Sequence, residues 1–296
     1  MKPIERILAA ADFSDASQEA LKAALFLTQL VKGRLQAVHV VSQTPFGGHF
    51  FGPVLIQLAN QLEKKALDEL TLRLASLSQA GQEISAEVRV GVPFVELIRA
   101  AKEKKVQFLV AGAKGENVGL TAILGSTAEN LIRKSECPVW IVRGSFQPPR
   151  KILLLTDLSE EARAGFRLGL FLAKLFGASA HLLHVFESPF IPSYAAIDAT
   201  EFELKMKEMV REEFRKWVEE ASVSKVELAH ELKEGSLREA IDEVAKREAC
   251  DLAVISTHGG SGLFHKHLGS VAAHLARQGP CSVITVRPEG FKFKEI

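Results

Sequence analysis

The stretch RILAAADFSDASQEALKAALFLTQLVKGRLQAVHVV, Arg6–Val41, aligns without a gap to KILLLTDLSEEARAGFRLGLFLAKLFGASAHLLHVF, Lys151–Phe186. Asp12 falls on Asp157, Ser14 on Ser159 and His39-Val40 on His184-Val185, an offset of 145 residues. Further along the offset is 144, so that Gly125-Ser126 meets Gly269-Ser270 and Cys137 meets Cys281. Self-similarity at a fixed period means that one structural plan is used twice. The expected domains are residues 1–145 and 150–290, joined by GSFQPPR, Gly144–Arg150. Its paired prolines stiffen the connection and end the preceding strand.

Outward from the repeat, each half alternates short β-like runs with amphipathic helices. In the first half, Ile7–Ala11, Arg34–Val41, Ser85–Val90, Gln107–Ala111 and Val139–Arg143 read as strands. Ser17–Val31, Val54–Gln79, Phe94–Lys104 and Ser126–Lys134 read as helices between them. The second helix shows its period in Leu55, Leu58, Leu62, Ala66, Leu70, Leu74 and Leu77, three or four residues apart. Strands buried on both faces and alternating with helices predict an α/β fold with a mostly parallel, doubly wound sheet in each half. Ligands in such sheets bind beyond the carboxyl ends of the strands, where strand order reverses. Asp12, Val40 and Gly112, with Asp157, Val185 and Ser256, all fall at or just after strand ends.

Composition narrows the function classes. The chain of 296 residues is 47% hydrophobic and 25% charged, enough for two sizeable cores. Net charge is +1, and neither half carries the basic stripe expected of a nucleic-acid surface. Cys137, Cys250 and Cys281 form no CxxC pair and no metal-ligand spacing, a usage that suits a reducing cytoplasm. The apolar run Ile7–Ala11 is too short for a signal peptide or a membrane span, so a soluble cytoplasmic protein is expected.

The chemistry concentrates in GAKGENVGLTAILGST, Gly112–Thr127, and in its repeat STHGGSGLFHKHLGSV, Ser256–Val271. A polyphosphate needs backbone N–H groups at close range, and Gly112 and Gly115 would open the loop for that approach. Gly125-Ser126 would offer N–H groups and a hydroxyl at a helix N-terminus. Asp12 is placed to accept bonds from a ribose.

Gly112-x2-Gly115-x9-Gly125-Ser126, with Asp12 after the first strand and His39-Val40 at the end of the second, resembles the ATP-binding pattern of the universal stress protein family. The likeness covers nearly all of both halves and makes the chain similar to a tandem member. It implies two five-stranded parallel sheets of the adenine-nucleotide α-hydrolase-like kind, arranged as a pseudo-dimer. It further implies ATP, with Mg2+ as a companion, in a stress-response protein without a dedicated reaction, slow ATP hydrolysis being the most it would catalyse. By that resemblance Asp12 would serve the ribose and Val40 the adenine, while Gly112, Gly115, Gly125, Ser126 and Thr127 hold ribose and phosphates. Asp157, Val185, Gly259, Gly269, Ser270 and Val271 are their counterparts in the second half. Two departures matter: Ser256 replaces the first glycine, and Glu116 follows the second glycine of the first half. A carboxylate there would repel a triphosphate by about 1 kcal/mol or more. The first half, with its glycines complete, is therefore the favoured site.

Other motifs carry less. His258-Gly259-Gly260 resembles an oxyanion-hole motif, but the chain has no G-x-S-x-G elbow. No P-loop is present, and DFSDAS (Asp12–Ser17) lacks the glycines of a pyrophosphatase loop. His265, Lys266 and His267 read as a solvated loop rather than a metal site. Glu212-Glu213 and Glu219-Glu220, among Arg211, Arg215 and Lys216, read as an ion-paired helix face. Phe202, Met206, Met209, Phe214 and Trp217 read as core or interface. His39 and His184 read as structural, bonded to neighbouring backbone, and Asp12 and Asp157 equally suit helix caps. The aromatic segments 44–55 and 187–198 suit packing, with a lid or an apolar-ligand surface as the alternative. Val139–Val142 and Val283–Val286 are expected to pair within the chain, as the resemblance implies for last strands, with homodimerisation left open. A contrasting expectation is an interaction protein whose degenerate loops bind no nucleotide and whose aromatic segments hold a protein partner or a small apolar ligand.

Overall fold

Apolar runs without polar alternation become the central strands: Ile7, Leu8 and Ala9, and Phe108–Val110, are almost wholly buried. The computed structural model describes residues 3–42, 52–114, 124–187, 199–257 and 270–288. The chain divides into two compact units, one running to Pro148 and the other starting at Pro149.

Unit 1 comprises β1 (Arg6–Ala11), α1 (Asp15–Val31), β2 (Arg34–Ser42), α2 (Gly52–Leu77), β3 (Glu83–Gly91), α3 (Pro93–Glu103), β4 (Phe108–Gly112), α4 (Ser126–Lys134) and β5 (Val139–Val142). Its strands are parallel in the order β3-β2-β1-β4-β5. β1 lies between β2 and β4, so strand order reverses there and a crevice opens beyond its carboxyl end.

Unit 2 repeats the plan with β6 (Lys151–Leu155), a 3-10 turn (Glu160–Ala162), α5 (Arg163–Phe176), β7 (Ser179–Phe186), α6 (Ala199–Ser222), β8 (Leu228–Glu234), α7 (Leu237–Arg247), β9 (Leu252–Ser256), α8 (Ser270–Gln278) and β10 (Ser282–Val286). The parallel order is β8-β7-β6-β9-β10. The expected α/β class and doubly wound parallel sheets are found in both units. Among the described residues no helix is long and apolar enough to cross a membrane.

Each core is organised around one tryptophan. Trp140 of β5 stands edge-on to Phe108 and Phe146, and Trp217 of α6 packs on Phe166 with ring centroids 4.8 Å apart. The apolar stripe of α6 divides: Phe214 and Trp217 are buried, whereas Phe202 and Met209 are exposed. Its acidic face is ion-paired, Glu213 with Lys216 at 2.9 Å and Glu220 with Arg167 of α5 at 2.9 Å.

Candidate functional site

The loop after the first strand is built identically in both units. Asp12 Oδ1 accepts from the Ser14 amide at 3.1 Å and the Ser14 hydroxyl at 2.6 Å. Asp157 Oδ1 accepts from the Ser159 amide at 3.0 Å and its hydroxyl at 2.5 Å. The serine then caps the helix, Ser14 accepting from the Ser17 amide and Ser159 from the Ala162 amide. The caps are therefore Ser14 and Ser159, and the aspartates orient them. Phe13 (φ 66°) and Leu158 (φ 63°) turn the chain through the left-handed region at matching positions. His39 Nδ1 donates to Ala11 O and His184 Nδ1 to Thr156 O, each at 2.8 Å, so both histidines tie the second strand to the first as expected. Burial pushes His184 below its ordinary value.

In unit 1 these parts surround a cavity of about 640 Å³. Of the residues expected at the site, Asp12, Val40, Gly112, Gly125, Ser126 and Thr127 all line it. Gly115 and Glu116 lie outside the described residues, as do Gly259, Gly269, His258, the His265–His267 cluster and most of the two aromatic segments. In unit 2, Asp157 holds its turn, Val185 and Ser256 are buried at strand ends, and Ser270 and Val271 open α8. Among the described residues no cluster of His, Cys, Asp and Glu could hold a metal ion.

The glycine at 112 has a different cause from the one expected. A Cβ there would lie 2.7 Å from both the carbonyl carbon and oxygen of Ala16 and 3.0 Å from the Ser17 amide. Gly112 thus makes room for the first turn of α1 rather than for a phosphate. Its counterpart Ser256 obstructs no ligand approach through its hydroxyl, because Oγ donates to Ala162 O at 3.3 Å and accepts from the Gly165 amide at 3.1 Å. The compensating glycine is Gly165, whose added Cβ would meet Ser256 Oγ at 2.7 Å.

α4 supplies the anion-facing end. Gly125 is its N-cap, makes no side-chain cap and donates its amide to Ala113 O at 2.8 Å. Such a first turn presents unpaired N–H groups and the positive end of the helix dipole. The same strand tie recurs in both units, Ala113 N to Val142 O at 2.9 Å and Thr257 N to Val286 O at 2.8 Å.

Several lining residues escaped the sequence reading. Leu62, Lys65, Ala66 and Glu69 bring one face of α2 to the cavity, and Pro93 and Leu97 bring α3. Their i, i+3, i+4, i+7 spacing was legible, but only the apolar members had been weighed. Phe13 stacks on His39 with centroids 4.3 Å apart, and Arg73 lies 5.1 Å over the Phe13 ring. Arg73 also donates to Phe13 O at 2.9 Å and pairs with Glu69 at 2.7 Å.

The model of the universal stress protein family matches residues 3–143 and again 149–287. The chain belongs to the universal stress protein family. It carries two such domains in tandem, and the family match ends within a few residues of the structural division. A universal stress protein of Methanocaldococcus jannaschii is 30% identical over 140 residues, covering 47% of this chain and 82% of the relative. One of Bacillus subtilis is 30% identical over 145 residues, covering 47% of this chain and 98% of the relative. The crystal structure of a universal stress protein from Archaeoglobus fulgidus superposes with a TM-score of 0.67, covering 97% of this chain and 99% of that one. At 18% identity that likeness concerns the fold.

Proposed function

We propose that this tandem universal stress protein binds an adenine nucleotide, ATP in the first place, in the cavity of unit 1. The observation that carries the reading is the convergence of Asp12, Val40, Gly125, Ser126 and Thr127 on one cavity at the reversal of strand order. Its volume of about 640 Å³ lies within the ordinary range for small-molecule sites. Val40, Leu62, Pro93 and Leu97 offer an apolar bed for the base, Asp12 a carboxylate for the ribose, and the uncapped α4 a terminus for phosphates. Mg2+ would arrive with the phosphates, which supply the oxygen ligands it prefers. The protein would act in the cytoplasm by nucleotide-dependent engagement of a partner.

Calorimetry and thermal denaturation of the full chain test this. ATP is expected to give binding heat and to raise Tm, by about 2.7 kcal/mol of stabilisation at one hundred times Kd. Gly125→Val, which places a branched side chain at the helix entrance, is expected to remove both effects. Absence of heat together with an unchanged Tm in the unmodified chain overturns the reading.

The contrasting reading, a protein-interaction module, is favoured by one observation in unit 2. Leu204 and Met209 on α6 are 64% and 66% exposed, with Phe202 beside them in sequence also exposed.

A further inference from the structure

We propose that Lys65 of α2, together with Lys114, reads the phosphate chain, so that unit 1 selects nucleoside di- and triphosphates over monophosphates and cyclic monophosphates. The inference rests on the nucleotide reading above and deepens it. Lys65 and Glu69 sit at i and i+4 on the cavity face of α2, the spacing at which such a pair ordinarily forms. Here Glu69 is engaged instead by Arg73 at 2.7 Å. Arg73 is held in that position by its second bond, to Phe13 O, and by its place over the Phe13 ring. Lys65 is left without a hydrogen bond or ion pair among the described residues, and Lys114, at the other wall beyond β4, is in the same condition.

The carboxylates of the cavity do not cancel these charges. Asp12 Oδ1 is occupied by Ser14, and Glu69 by Arg73. Two ammonium groups from separate elements, added to the positive end of α4, favour a ligand whose charge is spread along a chain. A single phosphate anchored at α4 leaves the second cation unanswered, whereas a longer chain answers both. Unit 2 has lost the arrangement. At the 144-residue offset that matches Gly112 with Ser256, Lys65 falls on Met209, Lys114 on His258 and Arg73 on Trp217. There Arg163 of α5 takes over the aromatic contact, 4.7 Å over the Trp217 ring, and pairs with Glu220 and Glu213.

The test is calorimetry of the full chain with ATP, ADP, AMP, cyclic AMP and inorganic tripolyphosphate, in the unmodified protein and in Lys65→Gln, Lys65→Arg and Lys114→Gln. ATP is expected to bind at least about tenfold more tightly than AMP. Lys65→Gln is expected to weaken ATP and tripolyphosphate by about fivefold to tenfold while AMP changes by less than about twofold. Lys65→Arg should restore most of the difference, and Tm without ligand should be unchanged because Lys65 is exposed. Equal affinities for ATP and AMP in the unmodified chain, or Lys65→Gln weakening both alike or neither, overturn the inference. Lys65-dependent binding of tripolyphosphate with no gain from the adenosine moiety supports the phosphate reader and removes the nucleotide reading. Binding of none of the five probes overturns both.

Discussion

Two residues that look alike in sequence serve different ends in this protein. Gly112 has the appearance of a phosphate-loop glycine, yet the atoms nearest its missing Cβ are the backbone of Ala16 and Ser17. In unit 2 the strand-end residue is Ser256, and the space it needs is provided by Gly165 on α5, where the repeat in α1 has buried Ala20. Gly112→Ser should therefore lower stability by about 1–3 kcal/mol through overpacking. Gly165→Ala should do the same against Ser256, and Ser256→Gly should lose its bond to the Gly165 amide at a cost of about 1–2 kcal/mol. The double variant Ser256→Gly with Gly165→Ala re-creates the unit 1 arrangement, and urea denaturation should show it less destabilised than the sum of its parts. Strict additivity would mean that the two positions do not share one space.

At the level of elements, the strands and helices were legible because their apolar periods are unbroken. β1, β4 and β5 fall within a residue of their expected limits, and α4 coincides with its own, Ser126–Lys134. Asp12, Val40, Gly125, Ser126 and Thr127 were legible as site residues through their spacing and the family resemblance. The contribution of α2 was not, because a lysine on an amphipathic helix looks the same whether it faces water or a cavity. Only the packing of α2 against the loop at Phe13 distinguishes the two. That packing has its own consequence: Arg73 keeps Glu69 away from Lys65. Arg73→Met should release Glu69 to form the i, i+4 pair with Lys65 and so lower ATP affinity without altering a cavity-lining residue. Calorimetry checks this, and the further change Glu69→Gln should restore the affinity; an Arg73→Met protein that binds ATP normally would show that Glu69 does not compete.

At the scale of the whole molecule, the two units differ in how they meet acid. His181 and His184, both in unit 2, are held below the ordinary 6.5 chiefly by burial. Around His181 stand Glu248, Glu231, Arg247 and Lys151. A histidine depressed in the folded state binds its proton more readily once unfolded, so stability is full above pH 6.5 and declines as pH falls below it. The chain has two tryptophans, Trp140 in unit 1 and Trp217 in unit 2, so Trp140→Phe leaves a fluorescence signal from unit 2 alone. Its melting temperature should fall between pH 7.5 and 5.5, and His184→Gln should reduce that fall; an unchanged Tm across the interval would rule the linkage out.

The exchange between Ser256 and Gly165 also bears on how a doubled chain keeps its shape over time. What duplication passed on at the contact of the first helix with the fourth strand is a combined volume, which either element can supply. A column-by-column comparison scores Ser256 as a lost signature, although in three dimensions the missing methyl group has only changed sides. Fold and ligand therefore place separable demands on the same loop, and one copy can relax the second demand while still meeting the first.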